Sequence, residues 1–225
     1  MLRSLLNLLY PNLCASCSEV LLKNENTICF NCLVDMPRSL YYQDPDNSVA
    51  KLFFGKVKLE TAISAFIFVK KGRVQRLMHE LKYKNNTEVG EILGVELGKE
   101  VSKVEGLQKV DLVIPVPLHL KKQKQRGYNQ SDFIAKGVAR ALTCDMSIEF
   151  LKRKEDSESQ TKKSKYERWE NVGEAFIVEN GKEFSGKHIL LVDDVVTTGA
   201  TLEACCKKLE EIEGVVLSIA TLASA

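Results

Sequence analysis

Six side chains in this sequence combine a reactive type with a telling spacing. Cys14-x2-Cys17 and Cys29-x2-Cys32 form two CxxC pairs with a spacer of eleven residues. A CxxC turn directs two sulfurs at one point, and two such turns offer four thiolates at tetrahedral corners about 2.3 Å from a zinc ion. Protein fills all four corners, so no position is left for water and the ion held there is structural. Residues 10–40 contain too little apolar material to fold alone, and zinc binding of about 10–16 kcal/mol can supply what that core lacks. A pair of redox CxxC sites and a chance spacing are the competing readings. The other cysteines, Cys144, Cys205 and Cys206, are scattered. Seven cysteines with no export signal argue against a disulfide framework.

The second pair of reactive groups is Asp193-Asp194, inside Ile189-Leu190-Leu191-Val192-Asp193-Asp194-Val195-Val196-Thr197-Thr198-Gly199-Ala200-Thr201. A buried strand delivers two adjacent carboxylates to its C-terminal end, where open α/β sheets bind their ligands. A loop of hydroxyls and glycine then opens a helix, whose first N–H groups and partial positive charge suit an anion. Gly199 lets the backbone approach a phosphate, and Thr197, Thr198 and Thr201 add hydroxyl donors. The carboxylates accept hydrogen bonds from a diol. Phosphate and diol together describe a ribose 5-phosphate. The bland alternative is a buried strand with a Thr-capped helix and solvent-facing aspartates. Gly181-x4-Gly186-Lys187 imitates a P-loop, but His188 stands where Ser or Thr would bind Mg²⁺, and the motif precedes its strand. GxGxxG follows no strand.

The elements that must hold these groups follow from hydrophobic period. TAISAFIFV (61–69) reads as a strand, and Val74, Leu77, Met78 and Leu81 as one face of a helix. A second helix starts near Thr87, with Val89, Ile92, Leu93, Leu97, Val101 and Val104 on one side, and stops near Gly106. KVDLVIPVP (109–117) is a buried strand, 130–142 a helix, EAFIVEN a short strand and 186–196 a continuous apolar run. A helix then ends at Gly214, followed by a last strand at 215–223. Apolar runs at 110–116, 189–195 and 215–223, separated by helices, give an α/β fold with a parallel sheet covered on both faces. Residues 37–60 read as a connector. The charged stretch 152–170 is a solvated loop or a ligand-covering flap.

The chain of 225 residues is 44% hydrophobic, 28% charged and 7% aromatic, an ordinary globular composition. A net charge of +2 excludes a strongly basic DNA-coating protein and an acidic disordered tail. No apolar run approaches the roughly 18 residues of a membrane span, so no membrane insertion is expected. The leucine-rich start reads as an amphipathic lead-in, not a signal peptide, and the expected location is cytoplasmic.

LLVDDVVTTGAT resembles the signature for phosphoribosyl pyrophosphate (PRPP) in type I phosphoribosyltransferases. Five features together resemble the ComF/GntX family of competence-associated proteins. They are the CxxC…CxxC pair, LKYKNN (81–86), IPVPLH (114–119) followed by RGYNQ (126–130), the stretch R-x3-S-x-S-Q…R-x2-NV-x2-AF (153–176), and the PRPP signature. The resemblance implies a type I phosphoribosyltransferase fold, a central mostly parallel sheet flanked by helices, with a small N-terminal four-cysteine zinc module. It divides the chain into a zinc-binding module at 1–40, a connector and hood-like region at 41–108, and a phosphoribosyltransferase core at 109–225.

On this resemblance Asp193 and Asp194 bind the ribose hydroxyls, with Val195 between the acids and the loop. Thr197, Thr198, Gly199, Ala200 and Thr201 cradle the 5-phosphate. Pro115-Val116-Pro117 form the pyrophosphate loop, and Lys121 and Arg126 contact PRPP, which arrives with Mg²⁺. Ser157 replaces the Thr common in relatives, and Lys121 and Lys122 stand where relatives often carry Arg, a less bidentate phosphate ligand. Lys121, Lys122, Lys124 and Arg126 are read either as counter-ions for pyrophosphate or as a solvated basic face. No general base and no glutaminase nucleophile stand out, and the catalytic residues are unknown. His119 reads as a surface or capping residue, His79 as structural and Trp169 as a packing anchor. Tyr128, Asn129 and Gln130 either read a base or cap a helix. Two functions compete: a PRPP-dependent transferase associated with competence and DNA uptake, and a non-catalytic single-stranded DNA-binding factor partnered by a DNA-uptake helicase. In the second, Tyr83, Tyr128, Tyr166 and Trp169 would stack bases among the basic groups.

Overall fold

The computed structural model describes residues 11–154 and 175–225. In chain order the helices and strands are α1 (Phe30–Val34), α2 (Ser48–Lys51), β1 (Thr61–Ile67), α3 (Arg73–Tyr83), α4 (Thr87–Val101), β2 (Leu112–Pro115), α5 (Leu120–Arg126), α6 (Gln130–Leu142), β3 (Asp145–Met146), β4 (Leu151–Arg153), β5 (Phe176–Val178), β6 (His188–Val196), α7 (Ala200–Leu209) and β7 (Val216–Ser224). Among the described residues, five strands pair in the order β1-β7-β6-β2-β3, and every pairing is parallel. The uninterrupted apolar runs of β6 and β7 require cover on both sides. One face is met by α3, α4 and α6 through Leu77, Leu81, Leu93, Leu97, Ile134 and Val138. The other is met by α2, α7 and the β4–β5 pair through Val49, Leu202, Leu209, Leu151 and Phe176, with Phe53 just past α2.

The sequence reading holds for these elements, with shifts at their ends. The helix expected to stop near Gly106 ends at Val101, and a 3-10 turn over Leu107–Lys109, entered through Gly106 in the left-handed region, leads to β2. Residues 37–60 contain α2, capped by Asn47, whose side-chain NH2 also donates to the Ala62 carbonyl at 2.9 Å. Residues 151–153, at the edge of the stretch left open as loop or flap, form β4, antiparallel to β5. Ser157, Tyr166, Trp169 and most of that stretch lie outside the described residues. β1 comes from the stretch assigned to connector and hood, yet it pairs with β7 in the same sheet as the 109–225 core.

Helices α4 and α6 cross with their backbones nearly touching. A Cβ placed on Gly94 would sit 2.1 Å from the Ile134 carbonyl oxygen, and one on Gly137 would sit 2.3 Å from the Glu91 carbonyl oxygen. Hydrophobic periodicity does not register this seam, because glycine contributes nothing to the apolar count. The seam matters for the site because α6 carries its first residues to the end of β6. Gly94→Ala would raise helix propensity by about 1 kcal/mol, but the clash is with backbone, and overpacking costs about 1–3 kcal/mol. The expected result is a lower urea midpoint; an unchanged or raised midpoint would show that the two helices do not pack this closely.

Candidate functional site

β2 and β6 are neighbours, but their onward connections run in opposite directions. β2 leads through α6 to β3 on one side, and β6 leads through α7 to β7 on the other. Such a reversal opens a crevice at the carboxyl ends of the two strands. The ladder between them stops at Pro115↔Val192, with a last bond from Val116 N to Val192 O of 2.8 Å. The next carbonyl in that ladder, Val116 O, is taken instead by Asn129 Nδ2 at 3.0 Å. β6 continues beside β7 alone through Val196. Backbone amides that lose a ladder partner must find another acceptor. Asp194 N donates to Asp193 Oδ1 at 2.8 Å, and Val195 N donates to Asp194 Oδ1 at 2.5 Å.

The two carboxylates have different second partners. Ser131, fully buried in the first turn of α6, donates its hydroxyl to Asp193 Oδ1 at 2.9 Å. Asp194 is buried and its Oδ2 lies 2.7 Å from Lys82 Nζ near the end of α3. Burial, and then the adjacent Asp194 charge, push the Asp193 carboxyl up to about 7, against the hydrogen bonds that favour its ionised form. Asp193 is therefore a carboxyl balanced near neutrality, while Asp194 is held beside a cation.

Immediately beyond β6, Thr197 and Thr198 are exposed, Gly199 adopts φ 76° as the N-cap of α7, and Ala200 and Thr201 are exposed in its first turn. Gly199 is required here twice. Its φ is left-handed, and a Cβ would meet the Phe53 ring at 3.0 Å. The loop thus faces solvent next to the two acids, with the unpaired first-turn amides of a helix behind it. Pro115 and Val116 are buried at the neighbouring strand end, and Pro117 is half-buried. A cavity of ≈ 260 Å³ beside this turn is bordered by Pro115, Pro117, Asp132 and, from β4, Lys152 and Arg153. Burial pushes Asp132 up to about 6, against a 2.7 Å hydrogen bond from Asn129 Nδ2.

Arg126 and Lys121 separate. Arg126 lines a second cavity of ≈ 390 Å³, together with Lys82, and donates to Gln130 Oε1. Lys121 is exposed at the start of α5, where its amide donates to His119 Nδ1 at 3.2 Å, and it lines neither cavity. His119 is thus a helix cap, one of the two roles expected for it. Asn129 caps α6, and the Tyr128 hydroxyl donates to the Leu81 carbonyl. Asn129 thus takes the capping role that was one of the two readings for it, whereas sequence reasoning assigned no role to Lys82 or Ser131. Lys82 sits inside LKYKNN, and Ser131 directly follows RGYNQ, so the motifs marked the places without showing the contacts.

The four sulfurs of Cys14, Cys17, Cys29 and Cys32 lie within 4.8 Å of one another, and Cys17 Sγ and Cys29 Sγ are 3.8 Å apart. Tetrahedral zinc–thiolate bonds of about 2.3 Å require sulfurs about 3.8 Å apart. Amides of Ser16 and Cys29 point at Cys14 Sγ at 3.4 and 3.3 Å, and the Cys32 amide points at Cys29 Sγ at 3.4 Å. Burial alone would raise Cys14, but these backbone donors bring it down to about 7. The donor set and its spacing fit a metal ion with no open position. Arg38, six positions after Cys32, pairs with Glu96 at 2.6 Å and Glu100 at 2.8 Å on α4, which fastens this N-terminal stretch to the core.

The family described as phosphoribosyl transferase domain matches residues 131–225. "DNA utilization protein YhgH" of Escherichia coli O157:H7 is 36% identical over 129 residues, covering 56% of this chain and 56% of that protein. "Competence protein F" of Haemophilus influenzae is 33% identical over 51% of this chain and 50% of its own length. "Competence protein ComFC" of Bacillus subtilis is 25% identical over 88% of this chain and 78% of its own length. The chain thus spans about half the length of the first two of these relatives. The fold is of the phosphoribosyltransferase type, and the relatives bear out the resemblance to the ComF family carried by the sequence motifs.

Two measurements test the geometry. Lys82→Met should cost about 1–3 kcal/mol by stranding a buried carboxylate, and adding Asp194→Asn should restore part of it, a coupling of at least about 0.5 kcal/mol in a urea double-mutant cycle. Strict additivity would mean the ion pair is absent. Asp193 titrates at 3.8 when unperturbed and about 7 when folded, so between those values the native state holds the extra proton. Stability should therefore fall as pH rises through that window, and Asp193→Asn should flatten the fall between about pH 4 and pH 7. Asp132 contributes a smaller fall of the same sign, and an identical slope in both proteins would refute the Asp193 assignment.

Proposed function

We propose that this chain, similar to proteins named for competence and DNA utilization, is a PRPP-binding phosphoribosyltransferase-like protein of DNA uptake. One observation carries the reading. The paired carboxylates Asp193 and Asp194 end β6 directly before a solvent-facing hydroxyl loop that opens α7, at the crevice where β2 and β6 diverge. In that arrangement the acids accept from the 2- and 3-hydroxyls of ribose, with Val195 setting their distance from the loop. Residues 197–201 donate to the 5-phosphate. Pro115-Val116-Pro117 bounds the pyrophosphate side, and Arg126 supplies positive charge. Lys121, placed on the outer end of α5, would contact the ligand only at its rim.

If the protein turns over, the bond from ribose C1 to pyrophosphate breaks, and pyrophosphate leaves with the electron pair. A lone pair on the acceptor forms the new bond at C1. The protein contributes by holding the sugar in place and by matching the charge that develops. Mg²⁺ bound with PRPP supplies neutralisation of the pyrophosphate oxygens. Zinc on Cys14, Cys17, Cys29 and Cys32 supplies a structural cross-link. Among the described residues no helix is long and apolar enough to cross a membrane, and a cytoplasmic location accords with this reading. A second reading, a factor that holds single-stranded DNA and works with a helicase, is favoured by α5, which presents Lys121, Lys122, Lys124 and Arg126 with no acid among them.

Calorimetry with PRPP and Mg²⁺ tests the first reading. Wild type should bind, and Asp193→Asn or Asp194→Asn should weaken binding by at least about tenfold, or about 1.4 kcal/mol. No binding by wild type would overturn it. A pyrophosphate-release assay then separates an enzyme from a non-catalytic binder. For the metal, elemental analysis should find one zinc per chain, and Cys29→Ser should lose it and unfold the N-terminal module. A chain free of zinc yet fully folded would refute the structural role.

A further inference from the structure

The two sugar acids are not equally open. Asp193 is half-buried, with Oδ1 accepting from the Ser131 hydroxyl and the Asp194 amide. Asp194 is 6% exposed, and its Oδ1 accepts from the Val195 amide. Its Oδ2 is the oxygen left for a ligand hydroxyl, yet that oxygen is sealed from solvent and accepts no aligned hydrogen bond. The Lys82 ammonium covers it at 2.7 Å. A buried carboxylate needs such a cation while the crevice is empty. A sugar hydroxyl cannot occupy the same place. Lys82, however, has an alternative. Its side chain also lines the ≈ 390 Å³ cavity between the ends of α3 and α5, beside Lys122 and Arg126. No acid is among the described residues lining that cavity, so only an anion arriving from outside would compete there with Asp194 for the ammonium.

We propose that Lys82 is the residue that makes the crevice select PRPP over pentose phosphates that lack pyrophosphate. It covers the diol-binding oxygen of Asp194 until the pyrophosphate of PRPP draws its ammonium away. The proposal rests on the reading that PRPP occupies this crevice, and it deepens that reading by naming what the site rejects. The ammonium is a compact charge on a flexible four-carbon stem, so it exchanges one anion for another by rotating its own bonds, without moving α3. Magnesium pyrophosphate keeps a net negative charge and replaces Asp194 as the partner of Lys82. Ribose 5-phosphate carries its charge at the other end of the sugar, over residues 197–201, and offers Lys82 no such partner. It must displace Lys82 unaided, and its apparent affinity falls with the fraction of molecules in which Asp194 is uncovered. Two simpler roles predict something else. A lysine that only contacted pyrophosphate would, once removed, weaken PRPP and leave ribose 5-phosphate unchanged. A cation that only supported the fold or the local field would, once removed, weaken both.

Calorimetry on the full-length chain in Mg²⁺, with PRPP and with ribose 5-phosphate, separates these roles. Wild type should prefer PRPP by at least about tenfold. In wild type, inorganic pyrophosphate should tighten ribose 5-phosphate, and ribose 5-phosphate should tighten pyrophosphate by the same factor. Lys82→Met should bind ribose 5-phosphate at least about threefold more tightly than wild type, because the uncovered carboxylate receives a hydroxyl. Its preference for PRPP should shrink, and the effect of pyrophosphate on ribose 5-phosphate should shrink with it. Lys82→Gln keeps an N–H donor for Asp194 without the charge, so it supports the fold if the Met variant unfolds, and it should shift the affinities in the same directions. Ribose 5-phosphate affinity that is unchanged or lowered in the folded variants would overturn the proposal. So would a wild type in which pyrophosphate leaves ribose 5-phosphate binding unchanged or weakens it, a result that needs no variant. If wild type binds neither ligand, the crevice reading falls; if it binds PRPP and the variants keep the full preference, only the role of Lys82 falls.

Discussion

The early end of β2 governs the rest of the site. Proline lacks the N–H that a ladder needs, and with Pro115 and Pro117 the chain leaves the sheet while β6 and β7 run on. The backbone of β6 then has one neighbour where it had two. Its amides take carboxylate oxygens as substitutes, which fixes both aspartates against their own strand. A pair of acids at this depth would repel each other and lose solvation. Ser131 on one and Lys82 on the other make the pair tolerable without neutralising both. The notch left by β2 is therefore polar and electrostatically tuned before any ligand arrives.

Lys82 ties that notch to its surroundings. It reaches Asp194 because α3 is anchored along its length by Val74, Leu77, Met78 and Leu81 in the core that also contains Cys14, Cys29 and Cys32. At the other end of α3, Arg73 lies 3.1 Å from Asp35, just past the last cysteine pair. One helix of eleven residues thus has the cysteine module at its start and the sugar acids near its end. A cysteine cluster remote in sequence from the crevice bears on the crevice through the placement of a single cation.

Much of this was legible in the residues. Uninterrupted apolar runs marked β6 and β7 as interior parallel strands, and two CxxC pairs at short spacing marked a four-sulfur cluster that forms in space. The Asp-Asp-x-x-Thr-Thr-Gly order announced a strand end, a loop and a helix start, and those elements occur there. What was not legible depends on distance across the chain. No period reveals that Lys82 meets Asp194, a separation of 112 positions by subtraction of their numbers. Nor does any period reveal that Gly94 and Gly137 let two helices touch. Lys121 and Arg126, five positions apart on one basic run, looked equivalent, but helical geometry turns only Arg126 into the cavity.

Charge counted along such a basic run measures how strongly a segment attracts anions, which is a long-range property screened over about 10 Å at 0.1 M salt. Recognition needs the shorter-range convergence of several donors on one volume. Here convergence requires contributions from α3 and α5, with aromatic walls from residues at or beside the end of each helix, and a partner acid already holding one of the cations. The same four basic residues on an isolated helix would attract phosphate and discriminate nothing. The lining of this cavity is therefore a property of where the parallel sheet brings two helix ends together, and the charge of either helix alone does not contain it.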